Sequence, residues 1–340
     1  MKAFYSPRQT GHMPSRSFYR GRFTPAHENP ERVACLLRAL ERASCIASEP
    51  ADAGLAPILA IHDADYVEFV RDAWLRWRTD DASGDVIPNV FPPSRASVRE
   101  RAALPVLAQA GIFMGDLSCP IGKGTFEGAY WSAQTAVAAA DAVLAGEALA
   151  LALCRPPGHH AQRDRASGYC FFNNAAIAAA RLRERVERVA IIDFDMHHGD
   201  GTQSIFYARG DVLTASAHAD PRDTFPFFSG AADECGEGAG LGANLNIPLP
   251  AGADDDTFVA AVAALFERAR TFGAQALVIA AGWDAHGDDP LSPFDVTSAA
   301  YARIARLVKA QALPTVIVQE GGYHPGAIED ALLAFLDALA

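Results

Sequence analysis

Cysteines spaced for metal binding or for a disulfide framework are missing from this sequence. The six cysteines stand apart at 35, 45, 119, 154, 170 and 235, with no CxxC pair. That spacing argues against a cysteine zinc site and suggests reduced thiols in a cytoplasm. An excess of positive charge is missing too. The chain carries 29 basic and 41 acidic residues, a formal net charge of −12. This argues against an electrostatic nucleic-acid binder, and is compatible either with attraction of cationic substrates or simply with solubility. The opening MKAFYSPRQTGHMPSRS holds no apolar signal core. There is no membrane-length run either. The most apolar region, Ala129 to Cys154, is interrupted by Gln134, Asp141, Gly146 and Glu147, and reads as a helix followed by a strand. No internal repeat or low-complexity tract is evident.

What is present is an alternation of short β-rich runs with longer Ala-rich segments. Strands are expected over 3–5, 148–154, 189–195, 212–217, 276–281 and 315–320, and helices over 30–43, 126–145, 173–185, 254–271, 298–310 and 325–339. Apolar strands spaced by helices imply an α/β fold of three layers, α/β/α, with a mainly parallel central sheet. With half of its 340 residues hydrophobic, the chain can form one domain across 1–340. The stretch 76–124 breaks the alternation: it is rich in Pro, Gly, Asp and Arg. It reads as a long excursion, either a lid, an oligomer contact or a plain structural flap.

Polar residues gather where strands give way to loops, the edge at which parallel sheets place their chemistry. One strand runs into RPPGHHA, a second ends as DFD and continues into MHHGDG, a third leads into WDAHGDDP and a fourth into EGGYH. Asp193, Asp195 and His197 stand at every second position, so in an extended chain they point the same way. Asp195, His197 and Asp284 together offer two oxygens and a nitrogen to a metal with positions left open. Zinc is the first choice, and iron(II), cobalt or manganese also suit the set. Singly, the aspartates could cap helices and the histidine could be a satisfied loop residue. His159 and His160 could supply an acid and a base, with Asp193 and Asp200 each holding one imidazole in its tautomer, or these aspartates could serve only nearby backbone. Tyr323 follows two glycines and could donate to an oxyanion, or merely pack.

The segments RPPGHHA, GYCFFNNAAIAA, DFDMHHGDGTQSIFY, SAHADP, GWDAHGDDPL and EGGY, in this order from Cys154 to Tyr323, resemble the zinc-dependent histone deacetylase superfamily, which has the arginase–deacetylase fold. The opening FYSPRQTGHMPSRSFYRGRFTPAHENPERV and the long excursion look most like its bacterial acetylpolyamine amidohydrolase branch. The resemblance implies metal ligands Asp195, His197 and Asp284 on one zinc ion per chain. It makes His160 the general base and later acid, His159 an electrostatic partner and Tyr323 the carbonyl-polarising donor, with Asp193 and Asp200 behind the histidines. It places Tyr169, preceded by Gly168, and Phe225 on aromatic walls around the substrate's alkyl stem. It also implies a structural potassium ion held by Asp193, Asp195, His197, Ser216 and Ala217.

The implied activity is hydrolysis of an acylated amine, with a small acylated amine as partner, no nucleic acid or membrane, and a homodimer formed through the inserted loop. In the segment FMGDLSCPIGKGTFEG, Asp116 and Glu127 could read a distal ammonium, although Glu127 could only favour a helix start and Asp116 could be solvated. Acyl-lysine proteins are the alternative substrates. A binuclear manganese ureohydrolase, with His218 and Asp220 as further ligands, is a more distant alternative, and a binding module that kept the fold is the non-enzymatic one.

Overall fold

The β-branched and aliphatic runs form strands buried on both faces, and this burial sets the architecture. The computed structural model describes residues 1–19, 21–79, 84–95 and 98–340. Its strands are β1 (Lys2–Phe4), β2 (Ser17–Tyr19), β3 (Arg22–Thr24), β4 (Ala47–Ser48), β5 (Leu149–Ala152), β6 (Val189–Asp193), β7 (Val212–Ala219), β8 (Asn244–Leu249), β9 (Ala276–Ala281) and β10 (Thr315–Gln319). Eight of them make one sheet in the order β4-β1-β5-β10-β9-β6-β7-β8, with every pairing parallel. β2 and β3 form a separate antiparallel hairpin.

Ten helices accompany the strands among the described residues: α1 (Glu31–Arg42), α2 (Ala56–Leu59), α3 (Ala64–Thr79), α4 (Val106–Phe113), α5 (Thr125–Leu144), α6 (Asn174–Leu182), α7 (Asp200–Phe206), α8 (Asp255–Phe272), α9 (Ser298–Ala310) and α10 (Pro325–Leu339). The pleat divides the core into two. Ala190, Ile192, Leu277 and Ile279 face a cluster with α1, α8, α9 and α10. Val189, Ile191, Ala276 and Val278 face another with α3, α4, α5 and α6. This is the three-layer α/β/α arrangement with a parallel sheet. Among the described residues no helix is long and apolar enough to cross a membrane.

The strand order explains where the site lies. From β6 the chain continues outward to β7 and β8, then returns to β9 on the other side of β6 and proceeds to β10. The β6–β9 boundary is therefore a topological switch point, where loops leave the carboxyl edge in opposite directions and open a crevice.

Several expectations need correction. The strand expected over 189–195 ends at Asp193. Beyond Phe194, whose N–H still reaches Ala280, side-chain carboxylates take the ladder's donors: Met196 N–H donates to Asp284 and His197 N–H to Asp195. The alternation nevertheless persists, since Phe194 and Met196 remain in the first core. The excursion over 76–124 contributes to the fold's core. It begins inside α3 and contains α4, and Val86, Ile112, Phe113, Met114, Cys119 and Ile121 belong to the second core. Residues 80–83 and 96–97 of that stretch lie outside the described residues. β8, at the sheet edge, was not expected because NLNIPL contains a proline and two asparagines, a composition tolerated at edges.

One buried histidine ties the helical layer to the loop before α6. Asn173 caps α6 through its side chain, and its backbone N–H donates to His62 Nε2 at 2.9 Å, while His62 Nδ1 lies 3.2 Å from the Arg163 carbonyl. Burial draws this imidazole down from 6.5 to about 4. The unfolded chain takes up the proton below 6.5 and the folded chain only near 4, so stability falls as pH drops through that window. His62→Gln, whose amide can accept from Asn173 and donate to Arg163, is expected to flatten the dependence of Tm on pH between 6.5 and 4. An equally steep curve would remove His62 as its source.

Candidate active site

Asp195, His197 and Asp284 come together at the switch point, with one ligand atom of each within 4.8 Å of the others. His197 Nδ1 lies 3.1 Å from Asp195 Oδ1 and 3.1 Å from Asp284 Oδ2. Both carboxylates are fully buried, and among the described residues no lysine or arginine pairs with either. Buried carboxylates are costly unless a positive charge lies among them. Burial by itself would lower the His197 pKa, yet the two carboxylates outweigh it and raise it to about 9; burial and the charge of Asp195 push Asp284 up to about 7. The field thus favours positive charge between them.

The backbone makes room for such a charge. A Cβ on Gly321 would lie 2.3 Å from Asp284 Oδ2 and 2.4 Å from Asp195 Oδ2, and the Gly321 N–H donates to Asp195 Oδ2 at 2.7 Å. Donor chemistry, burial and this glycine cradle all fit one divalent cation.

The tandem histidines follow β5. His159 Nδ1 is 3.0 Å from Asp193 Oδ2, and His160 Nδ1 is 2.7 Å from Asp200 Oδ1. Their ring centroids are 4.0 Å apart, and the His160 ring lies 5.8 Å from that of His197. Burial and the neighbouring His159 hold His160 down to about 4, against the pull of Asp200. Burial opposes a proton on His159 as well, but Asp195 and Asp193 overcome it and raise its pKa well above the ordinary value.

Tyr323 stands on a loop braced by charges the sequence reading missed. Arg32, 3% exposed, donates from Nε to the Gly322 carbonyl at 2.5 Å and from Nη2 to the Glu320 carbonyl at 2.6 Å, and its guanidinium lies 4.8 Å from the Tyr323 ring centroid. Asp289 Oδ2 accepts the Tyr323 and His324 N–H groups at 2.6 and 3.1 Å. Beneath Arg32, Glu28 binds both Arg32 and Arg155, and these charges hold its carboxyl down to about 2 despite burial. The signal available was ionic residues among apolar neighbours, but nothing local pairs Glu28 with Arg155. The Tyr323 hydroxyl has no hydrogen-bond partner among the described residues.

The expected wall residues also converge. The Phe225 ring centroid lies 4.9 Å from that of His160, and Tyr169 lies 5.5 Å from Tyr323. Gly168 has φ +54°, and a Cβ there would meet His160 Cδ2 at 2.3 Å, so only glycine lets this loop lie against the imidazole.

Asp116 is not a free acid. It accepts from Ser118 and, through Oδ2, from the Ser167 hydroxyl and the Gly168 N–H at 2.9 and 2.8 Å, so it shapes the Gly168 loop. Glu127 is exposed in the first turn of α5. Ser216 is the register partner of Asp193 across β6 and β7, and its hydroxyl lies 2.8 Å from His218 Nδ1. His218 Nε2 faces the Gly230 carbonyl and Asp220 pairs with Arg222, so neither turns toward Asp195, His197 and Asp284.

This geometry meets an independent finding. The chain belongs to the histone deacetylase family, whose histone deacetylase domain matches residues 26–339. Within that family it is similar to acetylpolyamine amidohydrolases. It is 46% identical over 332 residues to the one from Burkholderia pseudomallei, covering 97% of this chain and 96% of that protein. It is 41% identical over 307 residues to the one from Mycoplana ramosa, covering 90% and 89%. The crystal structure of an acetylpolyamine aminohydrolase from Burkholderia pseudomallei superposes with a TM-score of 0.95 at 45% identity, over 100% of this chain and 98% of that one. The fold is the arginase–deacetylase fold.

The paired carboxylates give a direct test. Purified protein is expected to take up about one Zn²⁺ or Co²⁺ per chain, with a Tm that falls on chelation, because removing the ion leaves the carboxylates to repel each other. Asp284→Asn is expected to lose the uptake and the chelator sensitivity together. Full uptake by that variant would exclude Asp284 as a ligand.

Proposed function

We propose that the protein is a metal-dependent amide hydrolase that removes acetyl or other acyl groups from amines, with small acylated amines such as acetylpolyamines as its substrates. The observation that carries this reading is the juxtaposition of the Asp195–His197–Asp284 cluster with two aspartate-backed imidazoles and a braced tyrosine. The similarity to acetylpolyamine amidohydrolases supports the substrate class. Asp195, His197 and Asp284 would hold one divalent ion, zinc first and iron(II), cobalt or manganese as alternatives. Bound there, it supplies Lewis acidity toward a carbonyl and toward water.

The chain's own groups perform the rest. Asp200 takes the Nδ1 proton of His160 as a hydrogen bond, leaving Nε2 as the basic nitrogen. With its pKa near 4, His160 is neutral at pH 7 and accepts a proton from the attacking water. His159, whose Nδ1 lies against Asp193, stands beside His160 as an electrostatic partner. Tyr323 donates to the oxygen that becomes negative as the carbonyl turns tetrahedral. His160 then returns the proton to the departing amine. Tyr169 and Phe225 flank the acylated stem.

A potassium ion at Asp193, Asp195, His197, Ser216 and Ala217 is in keeping with the cross-strand register of Asp193 and Ser216. We read the remaining expectations in the same way: one domain and a cytoplasmic protein that binds neither nucleic acid nor membrane.

Metal-loaded protein assayed on acetylated diamines, acetyl-lysine peptides and guanidino compounds tests the function, with the diamines expected to turn over fastest. Faster turnover of the peptides would reassign the substrate to proteins, and guanidino hydrolysis would favour the ureohydrolase reading. Tyr323→Phe should retain its metal and lose roughly 10²–10³ in kcat, the usual loss of one oxyanion donor. Near-normal turnover would refute its role.

The inserted region also offers a dimer contact. Val90 and Phe91 are 52% and 51% exposed, Leu107 is 39% exposed, and the first two cross α4 at Gly111, one turn beyond Leu107. Sedimentation velocity is expected to show a homodimer that Phe91→Glu with Leu107→Glu dissociates. A wild-type monomer at micromolar concentration would end this proposal.

A further inference from the structure

Glu320 is fully buried between the two catalytic loops, and neither the metal nor the substrate reading uses it. Its main chain is pinned from three directions. Its N–H donates to the Ala281 carbonyl of β9, and its own carbonyl accepts from Arg32 and Gln319. Its side chain reaches the other way. Oε2 accepts the backbone N–H groups of Gly158 at 2.6 Å and His159 at 3.0 Å. Oε1 is buried without a hydrogen-bond partner.

A buried acceptor left bare lowers stability. Burial also pushes this carboxyl up to about 8, against the pull of His159 and of the two amide donors; Asp193 adds to the rise. Polar groups retained at such expense tend to serve a site rather than the fold.

We propose that Glu320 is a positioning residue that locks the tandem-histidine loop to the tyrosine loop. The two strands concerned, β5 and β10, are neighbours, but the ladder ends at Ala152 and Val318. Beyond that point the chain from Cys154 to His160 has few links to the loop leaving β10, and the Glu320 carboxyl supplies two of them. Fixing the amides of residues 158 and 159 fixes the backbone from which both imidazoles project. Three residues past Glu320 is Tyr323, held in turn by Arg32 and Asp289. The base and the oxyanion donor therefore share one frame. Misplacing a catalytic group by about 1 Å can cost about 10²-fold in rate.

This role rests on the hydrolase reading above, so the test carries one readout that does not depend on activity. Glu320→Gln keeps an acceptor for both amides; Glu320→Met has similar length and none. Metal-loaded proteins are compared by hydrogen exchange at the Gly158 and His159 amides and by kcat and KM on an acetylated diamine. Glu320→Met is expected to exchange these amides at least about tenfold faster and to lose about 10² in kcat, with KM and metal content unchanged. Glu320→Gln is expected to restore both. If the methionine variant does not fold, Glu320→Ala, which leaves space instead of strain, takes its place. Unchanged exchange or wild-type kcat in the acceptor-free variant overturns the proposal. So does loss of metal in step with activity, which would mean that Glu320 acts through the neighbouring Gly321–Asp195 contact. A wild-type protein inactive on every amide would sink the hydrolase reading, while the exchange rates would still decide whether Glu320 fixes this loop.

Discussion

Two carboxylates buried side by side, Asp195 and Asp284, are the constraint around which the rest of the site is arranged. They arrive from β6 and β9, the strands between which the chain reverses its direction of travel across the sheet. No lysine or arginine among the described residues forms an ion pair with them, and the His197 ring stands between them. At an apolar sheet edge such charge density is costly unless positive charge lies among the carboxylates. The requirement explains local features that otherwise look unrelated: the early end of β6, the transfer of backbone donors to carboxylates, and the glycine at 321 whose missing side chain leaves space beside both oxygens.

The second layer is ionic as well, and it works on backbone rather than on substrate. Glu28 joins Arg32 and Arg155, and through them the amino-terminal segment around Gln9 and His12 is tied to the loop that carries Tyr323. On the opposite side Asp289 takes the amides at the start of α10. A loop with two successive glycines has much conformational freedom to lose. Here buried charge adds to packing against Trp283 and Ile328 in holding the loop in place. Breaking one member of such a set leaves another charge buried and unpaired, so its effect is larger than the loss of a single hydrogen bond.

How much of this could be read from the sequence follows from the range of each interaction. Residues tied to period and strand ends were legible: 276–281, 298–310 and 325–339 are the ranges the structure shows. The polar clusters also lie at the edge where an alternating α/β pattern places them, which is why Asp195, His197 and Asp284 could be grouped before any fold was known. Contacts across long separations were not legible. Glu28 and Arg155 lie 127 residues apart, and no pattern in either segment marks the other. α3 was passed over because its Arg- and Trp-bearing turns dilute the apolar stripe, and β8 because its proline and asparagines read as a turn. Asp116 was singled out for its charge, yet its neighbours Ser167 and Gly168 absorb that charge in shaping the loop against His160.

The two adjacent imidazoles acquire different characters from their surroundings alone. His159 has a carboxylate near each ring nitrogen, Asp193 at 3.0 Å from Nδ1 and Asp195 at 3.8 Å from Nε2. His160 has one, Asp200 at Nδ1, together with two other imidazoles nearby. With ring centroids 4.0 Å apart, two positive charges repel strongly in a buried setting. These neighbours favour a proton on His159 over His160, whose Nε2 is unpartnered among the described residues. A cation held by Asp195 would draw on the charge that favours a proton on His159, leaving Asp193 as that ring's principal partner. It does not give His160 a second carboxylate. The two rings thus differ in which one lacks an acceptor at Nε2, an asymmetry built by the carboxylates around β6 and α7 and invisible in the dipeptide His-His.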